Sequence, residues 1–414
     1  MARLSIKNIG PIKSLDINLA QINVFIGPQS SGKSTIAKII SFCQWLEKDL
    51  IIRQGLDHVD KNLMVKVLIK YHNMGDYFSD ESEFHYEGNA ITLDYQSSKV
   101  EIRRTERFAT ARVSKNCYIP AERNVIALPG IASLDWPQFY LRNFLFDWLN
   151  IRTKFGRDEA LKLNNLGVSY YFDKSRGDNM LVLDDGAEIH LDQASSGMQS
   201  ATPLYVLLNY MTRWIYMHED DYSFDKQMLV RQGNARRLKE NAELTQAIME
   251  ALEKGENPEK IMEKIGIVKA AGKAEFSNIV IEEPEQNLFP QTQAGLMYDI
   301  LSMLDHQRDT LVLTTHSPFI LYALNNCMLA YTVRKEIDKI DEETDEPVDL
   351  DFSEKSWIDP SKVAVWELRD GHIENYEGER DATIQDAQGL IRGNYFDRVM
   401  SNIMSDFSAL ISLK

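Results

Sequence analysis

Gly27-Pro28-Gln29-Ser30-Ser31-Gly32-Lys33-Ser34 is the stretch on which the fold turns. It fits G-x-x-x-x-G-K-[ST] at every constrained position, and its flanks are those the pattern needs. Before it, Ile22 to Ile26 is a nearly continuous apolar run, as in a buried parallel strand. After it, Thr35 to Leu46 is rich in Ile, Ala and Leu and reads as a helix. Between strand and helix, the glycines let the backbone curl until successive N–H groups face phosphate oxygens. The helix N-terminus adds a favourable dipole. Gly27, Pro28, Gln29, Ser30, Ser31, Gly32, Lys33, Ser34 and Thr35 are therefore expected to cradle a nucleotide. Lys33 would reach the β- and γ-phosphates, and the Ser34 hydroxyl would ligate Mg²⁺.

Such a loop needs an acidic strand beside it. Ile279-Val280-Ile281-Glu282-Glu283-Pro284-Glu285 supplies one, a buried strand with carboxylates at its C-terminal end. Glu282 would hold Mg²⁺ through water, and Glu283 would orient and polarise the attacking water. A strand ending in acidic residues is common alone; behind a phosphate loop it has a purpose. Leu311-Val312-Leu313-Thr314-Thr315-His316 is a further buried strand with a polar tip. A lone histidine usually belongs to a core, but one placed after the acidic strand can sense a γ-phosphate. Ser195-Ser196-Gly197-Met198-Gln199 precedes a helix-like run, Pro203 to Met211. Ser and Gly loops cap helices everywhere, and a small-residue loop at a helix N-terminus is also an anion-binding design.

Outward from these elements the chain is mixed. Leu4, Ile6 and Ile9 precede a Gly10-Pro11 turn, and Leu15, Ile17 and Leu19 alternate with polar residues, so two strands open the chain. Residues 64–119 read as β-rich: Val65, Val67 and Ile69 alternate, then Ile91, Leu93 and Tyr95, then Val100 and Ile102. Residues 134–150 are aromatic and expected to be a core-packing helix after Pro137. Residues 218–275 are charged, with helical stretches around a Gly255–Pro258 turn and an apolar face at Leu244, Ile248 and Leu252. They read as an inserted helical hairpin that contacts another subunit or partner. Glu336 to Glu354 carries ten Asp and Glu residues and reads as an exposed loop. Strands at Val363–Leu368 and Gly371–Ile373 and a helix at Tyr395–Leu413 close the chain.

Composition narrows the functions. The 414 residues carry 46 Lys and Arg against 62 Asp and Glu, a net charge of −16, which argues against broad DNA coating. Arg103-Arg104 and Arg236-Arg237 are short and read as solvated. Cys43, Cys117 and Cys327 lie far apart, so a disulfide framework and a cysteine zinc site are not expected, and a reducing cytoplasm is. No apolar window reaches about 18 residues, and the first residues lack a secretion signal's apolar region, so no membrane association is expected.

The order phosphate loop, Ser-Gly loop, Glu-Glu strand, His strand resembles the ATP-binding-cassette (ABC) ATPases, and within them the RecF, SMC and Rad50 branch. The opening strand and Asn8-x-Gly10-Pro11 turn look like that branch too. Ser195–Gln199 would be the signature motif, usually L-S-G-G-Q, with Met198 in place of the second glycine. The Glu282-Glu283-Pro284-Glu285-x-x-Leu288-Phe289-Pro290 run and Tyr118-Ile119-Pro120-Ala121-Glu122-Arg123 are similar to compact ATPases of the OLD-like group, which puts Asn287 and Leu288 in the D-loop. The resemblance covers about residues 1–45, 115–130, 185–215 and 275–414.

It implies an α/β P-loop NTPase fold: an ABC-type ATPase head with a β-rich lobe, its core divided into residues 1–217 and 276–414 by the 218–275 hairpin. It implies ATP and Mg²⁺ as cofactors and Lys33, Glu283 and His316 as catalytic residues. Ser195, Ser196, Gly197 and Gln199 would bind ATP across a homodimer or higher oligomer. About 100 residues follow His316, too few for the Toprim nuclease of OLD proteins, and the long Rad50 coiled coil is missing. A separately encoded effector, a nuclease or toxin of anti-phage defence, is then expected, with DNA or a phage protein as trigger. The alternatives are a RecF/SMC-like repair ATPase acting directly on DNA and a scaffold that binds ATP and barely turns it over.

Overall fold

The structure, a computed structural model, describes residues 2–53, 68–128, 130–131, 140–218, 274–344 and 350–413. The hairpin expected at 218–275 lies almost wholly outside the described residues. The chain opens with β1 (Arg3–Ile9), β2 (Ile12–Asn18) and β3 (Ile22–Ile26), then α1 (Lys33–Arg53). Next come β4 (Glu83–Glu87), β5 (Ile91–Gln96), β6 (Lys99–Arg104), β7 (Ser114–Ile119) and α2 (Tyr140–Ile151). A small antiparallel sheet follows, of β8 (Leu161–Leu163), β9 (Val168–Asp173), β10 (Asp178–Leu183) and β11 (Glu188–His190), and then α3 (Ser196–Asn209). The rest is β12 (Phe276–Glu282), α4 (Pro290–Met303), β13 (Thr310–Thr314), α5 (Pro318–Thr344), β14 (Val363–Arg369), β15 (His372–Ile373) and α6 (Tyr395–Ile411).

Eleven strands form one sheet in the order β6-β5-β4-β1-β2-β15-β14-β3-β13-β12-β7. From β14 to β7 all neighbours are parallel. From β6 to β2 they are antiparallel, the β-rich lobe that the alternating sequence predicts. The parallel half is covered on both faces, so β3 is buried at all five positions. Side chains alternate between the two cores. Phe25, Val280, Val312, Ala364 and Trp366 meet the apolar stripe of α1 (Ile36, Ile40, Cys43, Leu46, Leu50). Val24, Ile281, Leu313 and Val365 face the other way, toward α2, α3, α4 and α5. Burying each large aliphatic side chain contributes about 1.5–3 kcal/mol, so α1 is anchored firmly behind the loop it follows.

From Tyr140 the aromatic stretch is helical and packs as core, with Phe144, Leu145, Trp148 and Ile151 buried. Two expectations are corrected. The alternation at Val65–Ile69 is not a strand where it can be seen: residues 68–71 are helical, and Leu68 is buried beneath α1's face. A short apolar alternation fits either period, and this one is decided by packing. The acidic run from Glu336 starts as the last turns of α5, which ends at Thr344. Glu, Lys and Ile tolerate a helix, and no proline interrupts the run between Pro318 and Pro347. The three cysteines are buried and free. α6 is capped by Asn394 and leaves Met400, Ile403, Phe407 and Leu410 exposed.

Candidate active site

The sheet register assembles the site. Glu282 pairs with Thr314 on β13, and Thr314 pairs with Phe25 on β3. The chain therefore leaves three neighbouring parallel strands at one level, carrying Glu283, Thr315-His316 and Gly27 over the same edge. This is where open α/β sheets bind ligands, outside the carboxyl ends of parallel strands.

The loop from Gly27 to Gly32 has the backbone its residue types predict. Gly27 (φ 140°) and Gly32 (φ 106°) adopt angles that side chains disfavour. A Cβ on Gly27 would lie 2.5 Å from the Leu368 carbonyl oxygen. Lys33 is 5% exposed. Its Nζ donates to Gly27 O (2.9 Å) and Pro28 O (2.7 Å), so the cation hangs over the loop. Burial lowers its pKa to about 8, against the pull of Glu283 and Glu285.

The two residues expected to hold metal are neighbours: the Ser34 hydroxyl lies close enough to the Glu282 carboxylate to lower its pKa. Glu282 is 5% exposed, and burial pushes its pKa up, opposed by Ser34 and Lys38. One hydroxyl beside one buried carboxylate fits Mg²⁺, which retains several waters and takes its remaining ligands from phosphates. Among the described residues no group of three His, Cys, Asp or Glu could hold a metal by itself. Asp349 of the acidic D-x-D lies outside them.

Glu283 is held three ways. Its backbone sits at φ 44°, a strain on the order of 1–3 kcal/mol of the kind found at functional sites. His316 Nε2 lies 3.3 Å from its Oε1, and Gln286 Nε2 donates to its Oε2 at 3.0 Å. The His316 hydrogen bond is the main reason its pKa falls to about 2. Glu285 fastens the histidine: its Oε1 accepts from the His316 backbone N–H at 2.5 Å. Burial raises the Glu285 pKa. Ser317 donates to Gln293 Oε1 (2.5 Å), and Gln293 donates to Leu288 O (2.8 Å), tying the histidine turn to the start of α4.

The Ser-Gly loop keeps other company. Ser195 caps α3, accepting from Met198 N at 3.4 Å. Gln199 Nε2 donates to Asp192 O and Ala194 O, both at 3.0 Å, so it braces its own loop. A Cβ on Gly197 would come within 2.8 Å of Asn287 O, so a glycine is needed for α3 to rest on the turn at 285–288. Lys33, Ser34, Glu282, Glu283 and His316 are thus brought together. Ser195 to Gln199 lie instead against the Glu285–Leu288 turn of this chain, and among the described residues no hydrogen bond links them to residues 27–35.

One residue of the site is read in sequence only as part of the Tyr118–Arg123 run, with no role given to it. Arg123 is fully buried, and its guanidinium spans the 120s loop, α3 and the Glu282–Pro284 backbone. In sequence it is one arginine in a polar loop, and only its burial marks it.

The profile of a family described as an AAA domain matches residues 3–139, about a third of the chain. The fold is that of a P-loop NTPase. Among solved structures, the SMC head domain from Thermotoga maritima is 9% identical, with TM-score 0.34, over 78% of this chain and 90% of that one. An Smc head domain with an extended coiled coil, derived from Pyrococcus furiosus and bound to the C-terminal domain of ScpA, is 10% identical, with TM-score 0.35, over 78% and 92%. A nucleotide-free ATP-binding cassette from an ABC transporter is 11% identical, with TM-score 0.30, over 90% of each chain. No curated protein matches. No helix among the described residues is long and apolar enough to cross a membrane.

Proposed function

We propose that the chain is an ATP-hydrolysing switch of the ABC-head type. The observation that carries this reading is the meeting of Lys33, the Ser34–Glu282 pair and the Glu283–His316 pair at one edge of the parallel strands. The Gly27–Gly32 backbone binds the phosphates, and Lys33 turns from its loop carbonyls to the β- and γ-oxygens. Ser34 and Glu282 would hold Mg²⁺, which when bound would supply charge neutralisation. Glu283 orients the attacking water. At a pKa of about 2 it is a poor proton acceptor while His316 holds it. A γ-phosphate that draws His316 away strengthens Glu283 as a base at the moment it is needed.

The exposed Ser195 and Ser196 at the start of α3 support a head-to-tail dimer in which Ser195, Ser196 and Gly197 contact the other head's nucleotide. In this reading residues 218–275 are a contact insertion between core parts 1–217 and 276–414, and the ATP cycle controls a separately encoded nuclease or toxin in anti-phage defence. The same site serves a repair ATPase acting directly on DNA equally well, and DNA-stimulated turnover would select that role. The site reading is tested by Lys33→Ala in a calorimetric ATP titration. Affinity should fall at least about a hundredfold, as expected for losing a buried charged contact to phosphate. Binding as tight as wild type would remove Lys33 from the site.

A further inference from the structure

Arg123 spends its whole hydrogen-bonding capacity on backbone. Its Nε donates to Ser200 O in α3 (3.0 Å). Nη1 donates to Glu282 O (2.9 Å) and Pro120 O (3.4 Å), and Nη2 to Glu283 O (2.9 Å) and Pro284 O (3.0 Å). That is five donors on five carbonyls, the full set a guanidinium has. Among the described residues no carboxylate oxygen hydrogen-bonds it. Burying a cation without a paired anion is costly, and a merely apolar filler would pack this place at less cost. What only a planar fork offers is a fixed geometry between its partners. Two of those partners, Glu282 O and Glu283 O, belong to the peptide planes on either side of Glu283 and so fix its positive φ. A third lies in α3, one turn beyond the Ser196-Gly197 tip.

We propose that Arg123 is a positioning residue that transmits the seating of α3 to the Glu283 backbone, so that hydrolysis at this head's own phosphate loop responds to what its Ser-Gly loop engages. The proposal rests on the roles just given to Glu283 and to residues 195–199. A push on the α3 tip moves Ser200 O. The rigid guanidinium passes the displacement to the carbonyls of Glu282, Glu283 and Pro284 without an intervening flexible side chain. The link is short: one side chain separates the signature helix from the strained residue.

The test uses the full chain, wild type and Arg123→Lys, which keeps the charge and loses the fork. ATP turnover is measured beside hydrogen exchange. The expected result is a kcat at least about tenfold lower with KM for ATP changed less than about threefold. Amide exchange should rise at 196–201 and 282–288 together, with β4, β5 and β6 unchanged. An unchanged kcat, a loss confined to KM, or exchange rising throughout the chain would overturn it. If the variant does not fold, wild-type exchange decides: ATP should protect both segments together, and protection of one alone overturns the link. If wild type hydrolyses no ATP, the site reading fails by itself, and the paired exchange response still judges Arg123.

Discussion

Lys33 meets two demands that pull its proton in opposite directions. Its burial favours the neutral amine, bringing the pKa down to about 8, while its role requires the cation. The free protein therefore loses the phosphate-binding form as pH rises through 8. ATP affinity should be level from pH 6 to 7.5 and then weaken, by at most about tenfold per pH unit. Titrations at pH 7 and 9.5 check this; equal affinity at both would mean that Lys33 stays charged or does not touch the phosphates. Glu283 has the reverse problem. With its pKa held near 2 by His316 it is ionised at every working pH. Glu283→Gln should then keep ATP binding and lower phosphate release by about a hundredfold or more, the scale of a positioned acid–base group. Release near the wild-type rate would move the role to Glu282 or Glu285.

At the scale of elements, the loop, the acidic strand and the histidine strand were legible because each is a local pattern with a local cause. Glycines mark the curl at 27–32, and runs of Ile, Val and Leu mark strands buried on both faces. Their adjacency was not legible from residues alone, since it depends on β13 and β12 lining up beside β3, a matter of sheet order. The Val65–Ile69 and Glu336–Thr344 stretches failed for a related reason: tertiary packing and helix continuity outweigh a short window's period. For Arg123 the loop was legible but not the role, because burial, and not its type, makes it part of the site. Between elements, one close contact beside the site is α3 on the 285–288 turn. Gly197→Ala forces a Cβ against Asn287 O at 2.8 Å, an overpacking worth about 1–3 kcal/mol. It should leave ATP affinity within about threefold and lower turnover, as read by paired titration and phosphate release. Turnover equal to wild type would show that α3's seat on the 285–288 turn is not part of the catalytic cycle.

Across the whole molecule, the two parts of the described chain share one sheet: β1 to β7 come from before residue 218, and β12 to β15 from after residue 275. Neither half can complete the parallel strands alone, so the core is a single unit that presents the phosphate loop and the Ser-Gly loop as separate features. The central claim is that two such units complete each other's sites. Mixing Lys33→Ala with Ser196→Arg subunits tests it most directly. Each variant alone should release no phosphate. In the mixture, a heterodimer joins one intact phosphate loop to one intact Ser-Gly loop, so turnover should return to about a quarter of wild type for random twofold pairing. A mixture that stays inactive, with heterodimers confirmed by mass, would contradict the claim.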